Sequence, residues 1–215
     1  MKKIIRVTKR QSSAARVFAT ELIKKLHKAL KDKYKFNVRL VGSAKWNTIL
    51  KVPGELWDVD YQLLLTHNSK IYKENKSFDP TKTKNDFFNY FNQLFNKKNG
   101  FKVQNSTTSI TVINENSKYS IDFVIIKDEN QIVRRNNNDK SGHNMFTWNT
   151  LPSYSKAYEN FSALSPDEKV NLIENVILPR KVKEKAKSNN DITRKSSYEI
   201  FIEEVNNYVA RKRNR

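Results

Sequence analysis

Through residues 9–33, apolar side chains recur at three- and four-residue steps, at Ala14, Val17, Phe18, Leu22, Ile23, Leu26, Ala29 and Leu30, with lysines between them. That period predicts an amphipathic helix with one stripe against a core, and Thr8 or Ser12 stands where its cap would be. The period then falls to two. Residues 38–41 read as a short apolar strand that stops at Gly42-Ser43, and residues 57–65 as a second strand. A polar stretch, 67–82, precedes a helix over 86–95, where Phe87, Phe88, Tyr90, Phe91, Leu94 and Phe95 crowd together. Such density predicts helix-on-sheet core rather than a platform for stacking bases, with Gly100 as the helix stop.

Strands are expected at 101–105, 109–113 and 119–126, the last apolar almost throughout as a central strand would be. Residues 131–134 return as a short strand after a turn at Asp128-Glu129-Asn130, and 136–142 form a turn-prone loop before Trp148 and Pro152. From residue 153 onward the pattern is helical. One helix covers 153–164; Ser165-Pro166-Asp167-Glu168 caps a second, which Pro179 ends or kinks. Residues 180–195 are basic, either loosely ordered or a helix ending near residues 188–190, and 197–213 form a last amphipathic helix with a basic tail.

Composition narrows the field. The 215 residues suit one domain, or one with a small appendage. Apolar content is 37% and mean hydropathy −0.77, and no apolar run is long enough to span a bilayer. Nor does the N-terminus read as a secretory signal, which makes the cytoplasm the expected address. Without cysteine, disulfides, thiolate zinc sites and cysteine nucleophiles are excluded. His27, His67 and His143 are scattered without ligand spacing, which argues against a metal hydrolase. Lys plus Arg number 41 against 22 acids, a net charge of +19. Such a surplus suits contact with RNA or DNA, and equally suits a lysine-rich proteome.

Three acids stand out against this basic background. Asp58 and Asp60 lie two apart on a strand, so both carboxylates face one way. Asp122 is the one charge in an apolar strand, where an unpaired carboxylate would be expensive. Close like charges call for a cation, and hard oxygen donors suit Mg²⁺ held jointly with substrate phosphates. Gly42-Ser43 offers close backbone approach, free N–H groups and a hydroxyl, which suit a triphosphate.

A glycine-serine turn, an Asp-x-Asp strand and a later strand-borne aspartate together resemble the signature of the polymerase-β-type nucleotidyltransferase superfamily. Gly42-Ser43 followed by Thr48-Ile49 is similar to the matching element of oligoadenylate synthases and bacterial cyclic-oligonucleotide synthases. The stretch Val52-Pro53-Gly54-Glu55-Leu56-Trp57-Asp58-Val59 resembles that of cyclic GMP-AMP synthase. The Ser43-to-Asp58 gap is longer than in most of the superfamily, which a loop insertion at 51–55 would absorb.

The resemblance implies an α+β fold, a mixed β-sheet flanked by helices with a short C-terminal helical lobe, divided as a catalytic core over 1–152 and a lobe over 153–215. It implies a metal-dependent enzyme that transfers NMP from an NTP to a hydroxyl, with a place in antiviral defence. Asp58, Asp60 and Asp122 would be catalytic and would hold two Mg²⁺ or Mn²⁺ ions; Gly42 and Ser43 would bind terminal phosphates and Thr48 would brace that loop. Arg180, Lys181 or Lys195 would neutralise the triphosphate, and Tyr154 or Tyr198 would stack on a base; Trp148 is expected to pack under the loop, with lining the nucleotide pocket as the lesser reading. The acceptor would be another nucleotide, an RNA end or a protein side chain. A basic nucleic-acid-binding protein without chemistry is the contrasting expectation, and it leaves the three aspartates unexplained.

Overall fold

The computed structural model describes residues 3–136, 145–151, 155–188 and 190–213. Residues 137–144 with His143, residues 152–154 with Tyr154, Asn189 and the last two residues of the tail lie outside them. A short strand β1 (Ile5–Arg6) leads into α1 (Lys9–Leu30). Thr8 rather than Ser12 is the cap: its hydroxyl accepts from the Gln11 amide while the Gln11 side chain takes the Thr8 N–H. Then come β2 (Phe36–Val41), a single helical turn α2 (Gly42–Lys45), β3 (Leu50–Lys51), which pairs with β1, and β4 (Trp57–Leu65).

The stretch expected to be merely polar contains α3 (Lys70–Asn75) and the start of α4 (Pro80–Phe95). The latter begins six residues earlier than its aromatic pattern suggested, because Asp79 caps the Lys82 amide and Pro80 occupies the first turn. Gly100 does not stop this helix; Asn96 does. Gly100 instead turns the chain at φ +79° into β5 (Phe101–Asn105), where an added Cβ would lie 2.3 Å from the Asn116 amide nitrogen. Next are β6 (Ser109–Asn114), β7 (Tyr119–Lys127), β8 (Gln131–Arg135) and β9 (Phe146–Thr150).

Seven strands form one mixed sheet in the order β2-β4-β7-β6-β5. β8 joins the far end of β7, and β9 pairs with β8. Among the described residues only β4 and β7 are parallel; the other ladders of this sheet are antiparallel. One face carries Val59, Leu63, Ile121, Phe123 and Ile125, all fully buried beneath α1 and α4. Phe91 stacks on Phe123 at 4.8 Å and Phe87 meets Phe36 at 5.4 Å, so the aromatic cluster is core as expected. Burying each such ring stabilises by roughly 1.5–3 kcal/mol.

The C-terminal helices gather a second apolar cluster around Phe161, Leu172, Ile177, Phe201 and Val205, on which Trp46 of the first turn after α2 also packs. They are α5 (Ser155–Ser162), α6 (Pro166–Leu172), a π-helical turn (Ile173–Ile177), α7 (Leu178–Ala186) and α8 (Ser197–Arg213). Ser165 and Glu168 form the expected capping box. Pro179 does not end the helix, which runs on to Ala186, near the expected stop at 188–190. The Leu178 amide reaches back to the Ile173 carbonyl, and this wider turn accommodates a proline that has no N–H to give.

Candidate active site

The strand ladders place four residues in a row across the sheet. Val41 pairs with Asp60, Asp60 with Asp122, and Asp122 with Thr111. Alternation turns Asp58, Asp60 and Asp122 to the face opposite Val59, Tyr61 and Phe123, away from α4. Beside this row the chain leaves β2 through Gly42, at φ +64°, a backbone region that suits glycine. A Cβ there would lie 2.5 Å from Asp60 Oδ2. Backbone angle and contact together therefore exclude any side chain at this position. Thr111 donates its hydroxyl to Asp122 Oδ1 at 2.6 Å, fixing that carboxylate by one oxygen, and Ser109 lies 3.3 Å from the Thr111 hydroxyl.

Electrostatically the group is short of positive charge. Burial, then the neighbouring charges of Asp58 and Asp122, push the Asp60 carboxyl up to about 7, with Lys181 pulling the other way. Burial raises Asp122 as well, opposed by the Thr111 hydrogen bond. Among the described residues, no three acidic, histidine or cysteine side chains already close on one point as a preformed metal cage. The donor chemistry nonetheless fits Mg²⁺ or Mn²⁺: hard oxygens on a partly open edge, with room for substrate oxygens to complete the shell.

Lys181 of α7 supplies the opposing charge. It is 4% exposed, and its ammonium donates to Ser43 Oγ at 2.8 Å, the Thr48 carbonyl at 2.7 Å and Thr48 Oγ1 at 3.1 Å. The Thr48 amide in turn donates to the Ser43 carbonyl at 2.9 Å, closing the loop on itself. Burial brings the Lys181 ammonium down to about 8, opposed chiefly by Asp58. Between loop and helices lies a cavity of about 550 Å³, whose walls include Ser43, Asp58, Asp60, Lys181, Lys195 and Tyr198.

The structure thus brings Gly42, Ser43, Thr48, Asp58, Asp60 and Lys181 to one cavity, with Asp122 beside Asp60 in the row. Arg180 turns away to Glu203 and Glu204. Trp148 does not line the cavity; its indole N–H donates to the Phe78 carbonyl at 2.8 Å and it packs on the core. Tyr158, Lys185 and Ser197 also reach the cavity, and periodicity alone did not single them out. Two signals were present: the four-residue spacing of Lys181 and Lys185 on one helix, and Ser196-Ser197-Tyr198-Glu199, in which Ser196 and Glu199 cap each other. His27 stacks on Phe36 at 4.0 Å, and His67 on Tyr72 while bonded to Asp128, so neither reaches the site.

No family model matches the chain, and no curated protein matches it. Solved structures do. Vibrio cholerae DncV in its GTP-bound form aligns with a TM-score of 0.57 at 16% identity, over 80% of this chain and 44% of that one. Escherichia coli DncV with 3'-deoxy GTP gives 0.57 at 14% identity, over 81% and 46%. The Bradyrhizobium diazoefficiens CD-NTase CdnG in complex with GTP gives 0.50 at 13% identity, over 74% and 44%. The chain spans less than half the length of these structures. Among them Vibrio cholerae DncV is a cyclic AMP-GMP synthase, a prokaryotic cGAS homolog. This chain has the nucleotidyltransferase fold that DncV and CdnG share.

Proposed function

We propose that this protein is a metal-dependent nucleotidyltransferase that moves an NMP unit from an NTP to a hydroxyl, the acceptor being a second nucleotide and the product a cyclic or linear oligonucleotide. The observation that carries it is the sheet row: Asp60 and Asp122 side by side, Asp58 two residues away on the same face, and a glycine-serine turn that admits no side chain against Asp60. A fold shared with proteins solved with GTP bound supports an NTP as substrate, and likeness to a cyclic AMP-GMP synthase supports a nucleotide acceptor.

In this reading residues 1–152 form the catalytic core and 153–215 the lobe that closes over the nucleotide. Ser43 and the backbone at Gly42 receive the terminal phosphates, Thr48 and Lys181 hold that loop, and Lys185 and Lys195 add positive charge from the other wall. Asp58 and Asp60 would hold one ion, and with Asp122 a second. When bound, two such ions polarise the leaving pyrophosphate and acidify the acceptor hydroxyl. Thr111 keeps the Asp122 carboxylate aimed along the row. Tyr158 and Tyr198, with ring centres 6.5 Å apart at the cavity, offer an aromatic surface for a base. The net charge of +19 favours a second acceptor, an RNA end, as an arm of the test.

The test is incubation with each α-labelled NTP and Mg²⁺ or Mn²⁺, with and without RNA or DNA, comparing the wild type with Asp58→Ala/Asp60→Ala. Label in a small phosphatase-resistant product, lost in the variant, is the expected result. Label on RNA or protein moves the acceptor. No label anywhere, with nucleic acid bound equally by both proteins, overturns catalysis.

A further inference from the structure

Among the described residues three lysines line the cavity, and they are not held alike. Lys181 gives its protons to Ser43 and Thr48, and Lys185 to the Leu50 carbonyl, all uncharged acceptors. Lys195 instead gives its ammonium to both carboxylate oxygens of Glu203, at 2.7 and 2.6 Å. Glu203 belongs to α8 and stands outside the cavity lining. It also receives an Arg180 guanidinium nitrogen at 2.6 Å, and the other arm of that guanidinium goes to Glu204. A cation on the wall that faces the triphosphate is therefore already matched by a carboxylate behind it.

One acid shared by two cations can give one of them up. Breaking an ion pair is costly chiefly when it leaves a charge without a counterpart. When Lys195 turns to a phosphate, Glu203 keeps Arg180 and Arg180 keeps Glu204, so no charge is stranded. The pair is also open to water, with 40% of the Lys195 side chain and 37% of the Glu203 side chain exposed, and such pairs are weak enough to exchange. The backbone need not move. The Lys195 amide donates to Glu184 Oε2 at 3.0 Å, and Lys187 Nζ lies 2.8 Å from the same oxygen, so Glu184 holds the chain at residue 187 and at residue 195. What remains free is the rotation of a flexible four-carbon stem.

We propose that Glu203 is a positioning residue that holds Lys195 at the cavity wall and yields it to the triphosphate of the bound nucleotide, with Arg180 left to balance the carboxylate. Glu203 then sets triphosphate affinity from outside the cavity, and sets it low. This rests on the nucleotidyltransferase reading and adds to it a residue whose removal tightens binding.

The test is calorimetric binding of GTP and ATP analogues with a methylene between the α- and β-phosphates, in Mg²⁺, to wild type, Glu203→Gln, Lys195→Met and the double variant. These analogues cannot release an NMP, so binding is read apart from catalysis. Glu203→Gln keeps the shape and leaves Arg180 on Glu204; its Kd is expected to fall about threefold, the scale of one exposed ion pair. Lys195→Met is expected to raise Kd by about the same factor, and adding Glu203→Gln to it should change nothing further. In turnover of labelled NTP, Glu203→Gln should lower KM with kcat steady. A Kd that is unchanged or raised in Glu203→Gln, or that falls equally in the Lys195→Met background, overturns the proposal, while binding by the wild type leaves the nucleotidyltransferase reading standing. Analogue bound by no form, with no labelled product from NTP, overturns both.

Discussion

The two walls of the cavity are built by different means. On the sheet wall, strand alternation and ladder register fix every carboxylate, and Asp60 lies beside Asp122 because the β4–β7 register pairs them. On the helical wall the key cation, Lys181, reaches its partner Ser43 across 138 residues of sequence. Each wall is electrostatically incomplete alone: the sheet edge holds repelling acids and the helix a desolvated ammonium. Their meeting teaches that the second half of the chain completes the loop as well as covering it. Separating the walls, or changing how they meet, is the way to examine this.

The largest effect is expected on the sheet wall. Gly42→Ala forces a side chain into a φ of +64° and to within 2.5 Å of Asp60 Oδ2. Left-handed strain of roughly 1–2 kcal/mol adds to displacement of the carboxylate, and nucleotidyl transfer should fall by roughly a hundredfold or more, the scale of losing a positioned electrostatic group. Gly54→Ala separates the two causes. Its φ is +83° but nothing lies within 4 Å, so it should lower the melting temperature and leave turnover unchanged.

Smaller effects should follow on the helical wall. Lys181→Met removes three charge-assisted hydrogen bonds, and KM for the NTP should rise by roughly 30-fold. Lys185→Met removes a single bond, to the Leu50 carbonyl, from a half-buried side chain and should cost only about threefold. Equal effects of the two would mean that Lys181 acts as diffuse charge and not as the fastener of the Ser43–Thr48 loop. Thr111→Val, which frees one Asp122 oxygen, should lower kcat by about tenfold with KM steady, and Thr111→Ser should restore it.

The same contrast explains what the sequence made legible. A two-residue period and one charge in an apolar strand were enough to find Asp58, Asp60 and Asp122, because strand geometry converts spacing directly into facing. Lys181 was named beside Arg180 and Lys195, and tertiary packing separates them: Lys181 is buried against Ser43 while Arg180 turns to Glu203 and Glu204. Pro179 marked the place of a break or kink, and the structure sets a π-turn directly before it, a form that the sequence pattern did not specify. Gly100 was assigned to the wrong element because a positive φ serves a turn into a strand as readily as a helix stop.

A last measurement tests the sheet wall alone, through the pH dependence of stability without divalent ions. Asp60 titrates at about 7 in the folded protein against 3.8 as its ordinary value. Between those limits the folded state keeps a proton that the unfolded chain has released, so stability is greatest at the acid end and declines as pH climbs toward 7. Above 7 both states are ionised and this contribution stays constant. The melting temperature, followed over that range in EDTA, should therefore fall by roughly 10 °C, and Asp60→Asn should flatten the fall. Asp58→Asn should bring its upper end to lower pH, because Asp58 is the second cause of the shift after burial. With Mg²⁺ added, the trend should reverse, since the ion binds the ionised form and is favoured as the proton leaves. A decline that Asp60→Asn leaves unchanged would place the titrating group elsewhere and remove the charge deficit from which the sheet wall's need for a cation is argued.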